Sequence, residues 1–173
     1  MPFDPEARAP DHLVRFARSL GEVDAALDLG CGQGLVTREL AATRVLVGAD
    51  VSGVALSRAR ERLPETVELV ELTPGEPLPF ADNEFELVLC SETLEHVQDV
   101  QQLLSEARRV LRPGGRLALT TPAHLPLVRV PDPLSAHIRF FTRGSLRRLL
   151  GDMGFTVDSL RREAGTLMAV ASR

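Results

Sequence analysis

A glycine-rich segment and a later carboxylate are the residues best suited to bind a ligand. Gly30, Gly32 and Gly34 follow a short apolar run, and Asp50 follows a second one. Glycines let a backbone approach a ligand closely, and the helix expected after them would direct free N–H groups at an electron-rich group. A carboxylate on the neighbouring strand offers two acceptor oxygens to a ribose diol. The pattern predicts a site for a ribose-containing ligand.

The spacing of these glycines differs from the G-x-G-x-x-G that dinucleotide dehydrogenases prefer. Leu35 stands where the third glycine of that motif would fall, and Asp28 precedes the first glycine. A carboxylate at that position disfavours a pyrophosphate and favours a cationic amino group. The sequence therefore favours a ribose-containing ligand with a positive charge over a dinucleotide.

Few side chains are available for proton transfer. The basic residues are all arginine, and tyrosine is absent, so a lysine base, a Schiff base and a tyrosine acid are excluded. His96 follows the fourth predicted strand and is interpreted either as a locally packed or capping residue or as a catalytic base. His124, His137 and Arg139 belong to a long irregular segment, as does Arg129, and are interpreted as substrate contacts or as parts of a solvated loop.

Cysteine usage and charge narrow the class of protein. Cys31 and Cys90 fit neither a zinc site nor a disulfide framework, which favours a reducing cytoplasm. They are expected near the ligand, as small residues beneath it or as sites where oxidation weakens binding. The net charge is −4 without a basic block, so we expect no nucleic-acid partner. The sequence has no apolar run near the roughly 20 residues that span a bilayer, so we expect no membrane partner.

Hydrophobic periodicity and turn residues arrange the chain as alternating strands and helices. Asp11, Ser52 and Thr142 are predicted helix caps, and Ala164-Gly165 is the predicted turn of a terminal hairpin. Helices are predicted at 11–20, 35–41, 54–63, 100–111 and 142–153, and strands at 25–29, 45–49, 67–72, 85–90, 116–121, 155–160 and 166–172.

This order implies a mostly parallel sheet with helices on both faces and an antiparallel last strand. Ligands bind such sheets beyond the carboxyl ends of the strands, where the glycine turn, Asp50, Thr73 and Ser91 all fall. Residues 1–173 are expected to form a single domain, with a helical N-terminal segment at 1–24 and a substrate lid at 122–141.

Five ordered landmarks resemble those of class I S-adenosylmethionine-dependent methyltransferases. Residues 27–34 read LDLGCGQG, like the first motif of that family, and Asp50 matches its ribose-binding acid. Residues 78–88, 94–97 and 109–115 resemble the next three landmarks in order and spacing. The resemblance covers about residues 25–121 and is closest to the small-molecule, ubiquinone-biosynthesis-like branch. It implies an α/β, Rossmann-like three-layer sandwich with a mostly parallel seven-stranded sheet.

The resemblance also implies a reaction. The methyl group of S-adenosylmethionine would pass by in-line displacement to a small molecule, leaving S-adenosylhomocysteine, with no metal required. Asp28 would favour the amino cation of the donor, Asp50 would hold the ribose, and Val51 and Leu72 would enclose the adenine. The implied cofactor-binding residues are Asp28, Gly30, Cys31, Gly32, Asp50, Val51, Leu72, Thr73, Cys90 and Ser91.

One departure from the family affects adenine recognition. The family often has an aspartate just after the third strand, whereas this chain has Thr73-Pro74, so Glu76 or the backbone would substitute. Two alternatives to a small-molecule enzyme stay open: a methyltransferase acting on protein or RNA, and a non-catalytic S-adenosylmethionine-binding protein. The expected state is a monomer or a weak homodimer.

Overall fold

The computed structural model describes residue 4, residues 7–123 and residues 138–173. Strands and helices alternate along the chain, as its periodicity predicts. The helices are α1 (Asp11–Ser19), α2 (Gly53–Arg62), α3 (Val100–Val110) and α4 (Arg143–Asp152). The strands are β1 (Glu22–Leu29), β2 (Ala41–Asp50), β3 (Val67–Glu71), β4 (Phe85–Ser91), β5 (Leu111–Pro122), β6 (Thr156–Glu163) and β7 (Thr166–Ser172).

The strands form one seven-stranded sheet in the order β3-β2-β1-β4-β5-β7-β6. Pairing is parallel from β3 through β5, and β7 runs antiparallel to both β5 and β6. This confirms the predicted α/β, Rossmann-like fold with an antiparallel last strand. The order of the strands reverses between β1 and β4, so a crevice opens beyond the carboxyl ends of these two strands.

Each face of the sheet carries its own apolar core. Leu27 and Leu29 of β1 pack in the cluster that includes the buried residues of α3 and α4. Ala26 packs in the cluster that includes α1 and Leu40 on the opposite face. Because side chains alternate along a strand, Asp28 shares the α1 face with Ala26. In the described part of the chain, no helix is long and apolar enough to cross a membrane.

The predicted helix at 35–41 is wrong, because only a 3₁₀ turn at Thr37–Glu39 follows the glycines. Strand β2 begins at Ala41 rather than at 45, since Ala41 and Ala42 pair with Glu22 and Val23 of β1. Residues 30–40 alone connect the two strands and must also form the glycine turn. The ligand site therefore lacks the helix N-terminus that the sequence led us to expect.

The other boundaries follow the predictions more closely. The Ser52 hydroxyl accepts from the Ala55 N–H at 3.3 Å, and Thr142 forms a capping box with Ser145, so both caps are confirmed. Asp11 is not a cap, because Pro10 occupies that position and its carbonyl accepts from the first turn of α1. The fifth strand was predicted to begin at 116, but β5 begins at Leu111 and includes residues 113–115 as an irregularity in its pairing with β4.

Candidate functional site

A cavity of about 770 Å³ lies at the carboxyl ends of the central strands. Its walls are the glycine turn after β1, the end of β2, the loop 72–78, the residues after β4 and the first half of α3. Arginine is absent from this wall as far as the chain is described, whereas five acidic side chains contribute to it: Asp50, Glu76, Glu92, Asp99 and Glu106. The cavity therefore suits a ligand with positive charge.

The Asp50 carboxylate links the end of β2 to the glycine turn. Its Oδ2 accepts from the Gly32 N–H at 2.8 Å, and its Oδ1 accepts from the Ser52 N–H at 2.9 Å. Each oxygen retains capacity for a further donor, and Asp50 lines the cavity. The carboxylate is therefore held by backbone donors and can still accept from a diol.

Two glycines shape the turn, with φ angles of +83° at Gly30 and +53° at Gly32. A Cβ on Gly30 would lie 2.5 Å from Thr93 Cγ2, because the residues after β4 cross over this turn. A Cβ on Gly32 would meet no described atom within 4 Å. Glycine is needed at position 30 because Thr93 packs closely against it. At position 32 glycine permits the positive φ angle, and the space beside it is open.

Asp28 lies beneath the turn rather than in the cavity wall. It is 1% exposed, and its Oδ2 accepts from the Thr37 hydroxyl at 2.6 Å. Its Oδ1 is buried and has no hydrogen-bond partner among the described residues. Burial raises the pKa of Asp28 to about 7; the Thr37 hydrogen bond opposes this shift and the nearby Asp50 charge adds to it. Oδ1 is thus a buried acceptor whose capacity is unused among the described residues.

Val51 and Leu72, which were predicted to enclose the adenine, line the cavity, as does Thr73 from the predicted cofactor-binding set. Helix α3 supplies the facing wall, which the sequence did not reveal. The Glu106 Oε2 accepts from the Leu78 N–H at 2.8 Å and pairs with Arg109 at 2.8 Å. The loop 72–78 is therefore fastened to α3 and closes the cavity.

The end of β4 carries a second group of polar side chains. The Ser91 and Thr120 hydroxyls lie 3.0 Å apart, and Glu95, which is fully buried, accepts from the Thr121 hydroxyl at 3.0 Å. His96 and Glu92 both line the cavity. The sequence analysis named His96 as a candidate and did not identify Glu92. The His96 Nε2 lies 3.9 Å from Glu95 Oε1.

The two cysteines are buried behind the cavity wall as free thiols. Their strands β1 and β4 are neighbours in the sheet. Burial raises the pKa of Cys31 and of Cys90, and nearby carboxylates add to the shift. Because oxidation proceeds through the thiolate, these environments favour the interpretation as small packing residues over that as oxidation sensors.

Part of the predicted substrate-binding set lies elsewhere. His124, Arg129 and His137 fall outside the described residues. Arg139 is not in the described cavity wall, and its Nη2 donates to the Gln98 carbonyl at 2.7 Å. Within the described ranges, no group of three or more His, Cys, Asp or Glu side chains could hold a metal ion.

Comparison with known protein families and sequences places these features in context. Residues 27–119 match the family described as a methyltransferase domain. An uncharacterised protein of a transposon in Streptomyces fradiae is 33% identical over 79% of this chain and 45% of its own length. A demethylmenaquinone methyltransferase of Tropheryma whipplei is 39% identical over 58% of this chain and 43% of its own. The chain thus spans less than half the length of these two relatives.

Solved structures share the fold at low sequence identity. A methyltransferase from Aquifex aeolicus, described as S-adenosylmethionine-dependent, superposes with a TM-score of 0.75 at 20% identity, and the alignment covers 99% of both chains. A Haloferax volcanii protein, described as a methyltransferase in complex with the activator Trm112, has a TM-score of 0.80 at 19% identity, over 94% of this chain and 86% of its own.

Proposed function

We propose that this chain, which belongs to the class I S-adenosylmethionine-dependent methyltransferases, transfers a methyl group to a small-molecule acceptor. When bound, the donor supplies a methyl group already activated on a sulfonium. The chain's own residues then need to orient the two reactants and exclude water. The observation that carries the proposal is the acidic cavity at the strand ends, in which Asp50 is fixed by the Gly32 and Ser52 N–H groups.

The residues present fit the donor. Asp50 would accept from the ribose hydroxyls, and the space beside Gly32 would admit the ribose and the methionine end. The unpaired Oδ1 of Asp28 would favour the amino cation, directly or through water. Val51 is 55% exposed and would cover the adenine together with Leu72. Of the other proposed contacts, Thr73 lines the cavity, whereas Cys31, Cys90 and Ser91 are not in its wall and would contribute through their backbone groups.

The small-molecule acceptor rests on the cavity and on relatives. A volume of about 770 Å³ lies in the range of small-ligand sites. A relative from Aromatoleum aromaticum, 36% identical over 55% of this chain and 42% of its own length, is named a ubiquinone biosynthesis O-methyltransferase. The net charge of −4 disfavours RNA as the acceptor. The Haloferax neighbour keeps a protein-assisted methyltransferase as the second candidate.

The acceptor is proposed to lie on the β4–β5 side of the cavity, next to His96. The segment 122–141 is proposed to cover it, since Ala123 and Phe141 pair beside the end of β5 and the Ile138 N–H donates to the Glu95 carbonyl at 2.9 Å. We further propose that the chain acts as one cytoplasmic domain, a monomer or weak homodimer, without a metal.

Turnover tests the proposal. The protein is incubated with S-adenosylmethionine and, separately, with small phenols, carboxylic acids, amines, bulk tRNA and a protein extract, and S-adenosylhomocysteine is quantified. Formation above background with a small molecule is expected. Formation only with tRNA or protein extract favours the macromolecular alternative. Binding of S-adenosylmethionine without turnover of any acceptor favours a non-catalytic binding protein.

A further inference from the structure

Glu92 occupies an unusual backbone conformation in the wall of the cavity. Its φ angle is +50°, and the other described non-glycine residues with positive φ, Asn83 and Ala164, lie in turns. The Glu92 N–H donates to the Thr120 carbonyl at 2.9 Å and to the Thr120 hydroxyl at 3.1 Å. The Glu92 N–H is thus shared between two acceptors of the buried Thr120, and these contacts hold a strained conformation of the kind that recurs at functional positions.

The Glu92 side chain lines the cavity, yet its Oε1 is buried and lacks a hydrogen-bond partner among the described residues. A buried carboxylate oxygen without a donor is costly unless a bound group satisfies it. The Thr120 hydroxyl hydrogen-bonds to this carboxyl group, so Oε1 is the oxygen left for a ligand.

The charges around Glu92 suit proton exchange near neutral pH. Burial is the largest influence and raises the pKa of Glu92 to about 7; the Thr120 hydrogen bond opposes the shift. Glu95 raises this pKa further, and His96 lowers it. A base is most effective when its pKa is close to the working pH, and this carboxyl meets that condition.

We propose that the acceptor bears a hydroxyl group and that Glu92 Oε1 takes the hydroxyl proton as the methyl group arrives. This inference rests on the methyl-transfer function proposed above. The acceptor oxygen forms the new bond to the methyl carbon, the bond from that carbon to the donor sulfur breaks, and its electron pair stays on the sulfur. The proton passes to the Glu92 carboxylate and then to water, so no oxidant, reductant or further reactant is needed.

The base is thereby assigned to Glu92 rather than to His96. His96 is the only histidine in the described cavity wall, but its side chain is 42% exposed and lies beside the buried Glu95. In this position His96 contacts the acceptor and adjusts the charge around Glu92. The variants Glu92→Gln and His96→Gln separate the two roles, because each keeps a polar side chain and removes one titrating group.

The first measurement needs no acceptor. The protein is isotope-labelled at its glutamate carboxyl carbons, saturated with S-adenosylhomocysteine and titrated by NMR. One carboxyl signal with a midpoint near 7, missing in Glu92→Gln, is expected. A Glu92 midpoint in the ordinary glutamate range of about 4 to 5 overturns the inference.

The second measurement compares turnover of catechol, 4-nitrophenol, benzyl alcohol, aniline and thiophenol. For catechol, Glu92→Gln is expected to lower kcat by about 10²- to 10⁴-fold and to remove the rise of activity with pH that has its midpoint near 7. For 4-nitrophenol, which ionises readily without a base, the loss is expected to be smaller. His96→Gln is expected to keep a rise of activity with pH but to move its midpoint upward, because His96 lowers the pKa of Glu92. Glu68→Gln, a control on the exposed edge strand β3, is expected to keep the profile unchanged.

The outcomes distinguish this inference from the function on which it rests. Calorimetry on Glu92→Gln is expected to give S-adenosylhomocysteine affinity within about threefold of the unaltered chain. Failure of the unaltered chain to bind S-adenosylhomocysteine contradicts the methyltransferase function itself. Binding with turnover of aniline or thiophenol but of no hydroxyl compound overturns the hydroxyl acceptor alone. Loss of the pH profile in His96→Gln and its retention in Glu92→Gln overturn the assignment of the base.

Discussion

The two halves of the cavity are built by different means. The half proposed to hold the donor (the donor half), consisting of the glycine turn 30–34, residues 50–52 and Leu72, is held mainly by backbone N–H groups and by Asp50. The half proposed to hold the acceptor (the acceptor half), formed by residues 91–96 and supported by the buried Thr120 and Thr121, relies on side-chain contacts and on one strained residue, Glu92. A site built from backbone and glycine can be recognised from residue types, whereas one built from burial and side-chain contacts requires the folded structure.

The two halves touch at Gly30, where we expect the largest effect. In Gly30→Ala, the new Cβ would lie 2.5 Å from Thr93 Cγ2 at a φ of +83°, so the glycine turn and the residues after β4 must separate. We expect loss of measurable S-adenosylhomocysteine binding by calorimetry. Unfolding by denaturant should show destabilisation of roughly 1–3 kcal/mol.

Two further variants calibrate this result. Thr93→Ala in the Gly30→Ala background removes Cγ2 and should restore part of the affinity, because the steric conflict is relieved while the backbone strain remains. Gly144→Ala in α4 has only ordinary contacts and should bind normally. Unchanged binding by Gly30→Ala would show that the halves are not packed as described.

Asp28 makes the stability of the folded chain depend on pH. Because burial raises its pKa to about 7 in the folded chain, its contribution to stability is present below about 3.8 and is lost as pH rises through about 7. Asp28→Asn imitates the protonated form. Its free energy of unfolding should exceed that of the unaltered chain by roughly 2–4 kcal/mol near pH 8 and by little near pH 4.

The same substitution should weaken the binding of S-adenosylhomocysteine by about tenfold, since it removes a charge from the side of the amino cation. A variant that gains stability and loses affinity would place Asp28 in the binding machinery. The exposed Asp158→Asn serves as control, with neither effect expected. Tighter binding by Asp28→Asn would contradict the role given to this carboxylate.

Local chemistry explains which elements the sequence predicted. The caps at Ser52 and Thr142 and the hairpin turn at 164–165 depend on adjacent residues, so residue type was sufficient. The prediction of a helix at 35–41 was wrong because Ala41 pairs with Glu22, a long-range contact that makes Ala41 part of β2. Glu92 was missed for a related reason. Its proposed role depends on its burial and on its hydrogen bonds with Thr120, which is 28 positions away in the sequence.

Ser52 provides the smallest expected effect and a strict test of the backbone character of the donor half. Ser52→Ala removes the hydroxyl that caps α2 but keeps the N–H that donates to Asp50. Thermal or chemical unfolding should show a loss of about 0.5–2 kcal/mol, with affinity for S-adenosylhomocysteine within about twofold of the original. A tenfold loss of affinity would mean that the donor half needs this side chain as well.

Calorimetric titration of the unaltered chain, Asp50→Ala and the control Asp158→Ala, with S-adenosylmethionine and separately with NAD, tests most directly whether Asp50 and the glycine turn form a methyl-donor site. We predict that S-adenosylmethionine binds the unaltered chain and the control, and that Asp50→Ala weakens binding by about 100-fold or more, because charge-assisted bonds to two ribose hydroxyls are lost. We predict no binding of NAD. Binding of NAD in place of S-adenosylmethionine, or equal affinity in Asp50→Ala, would contradict the site described here.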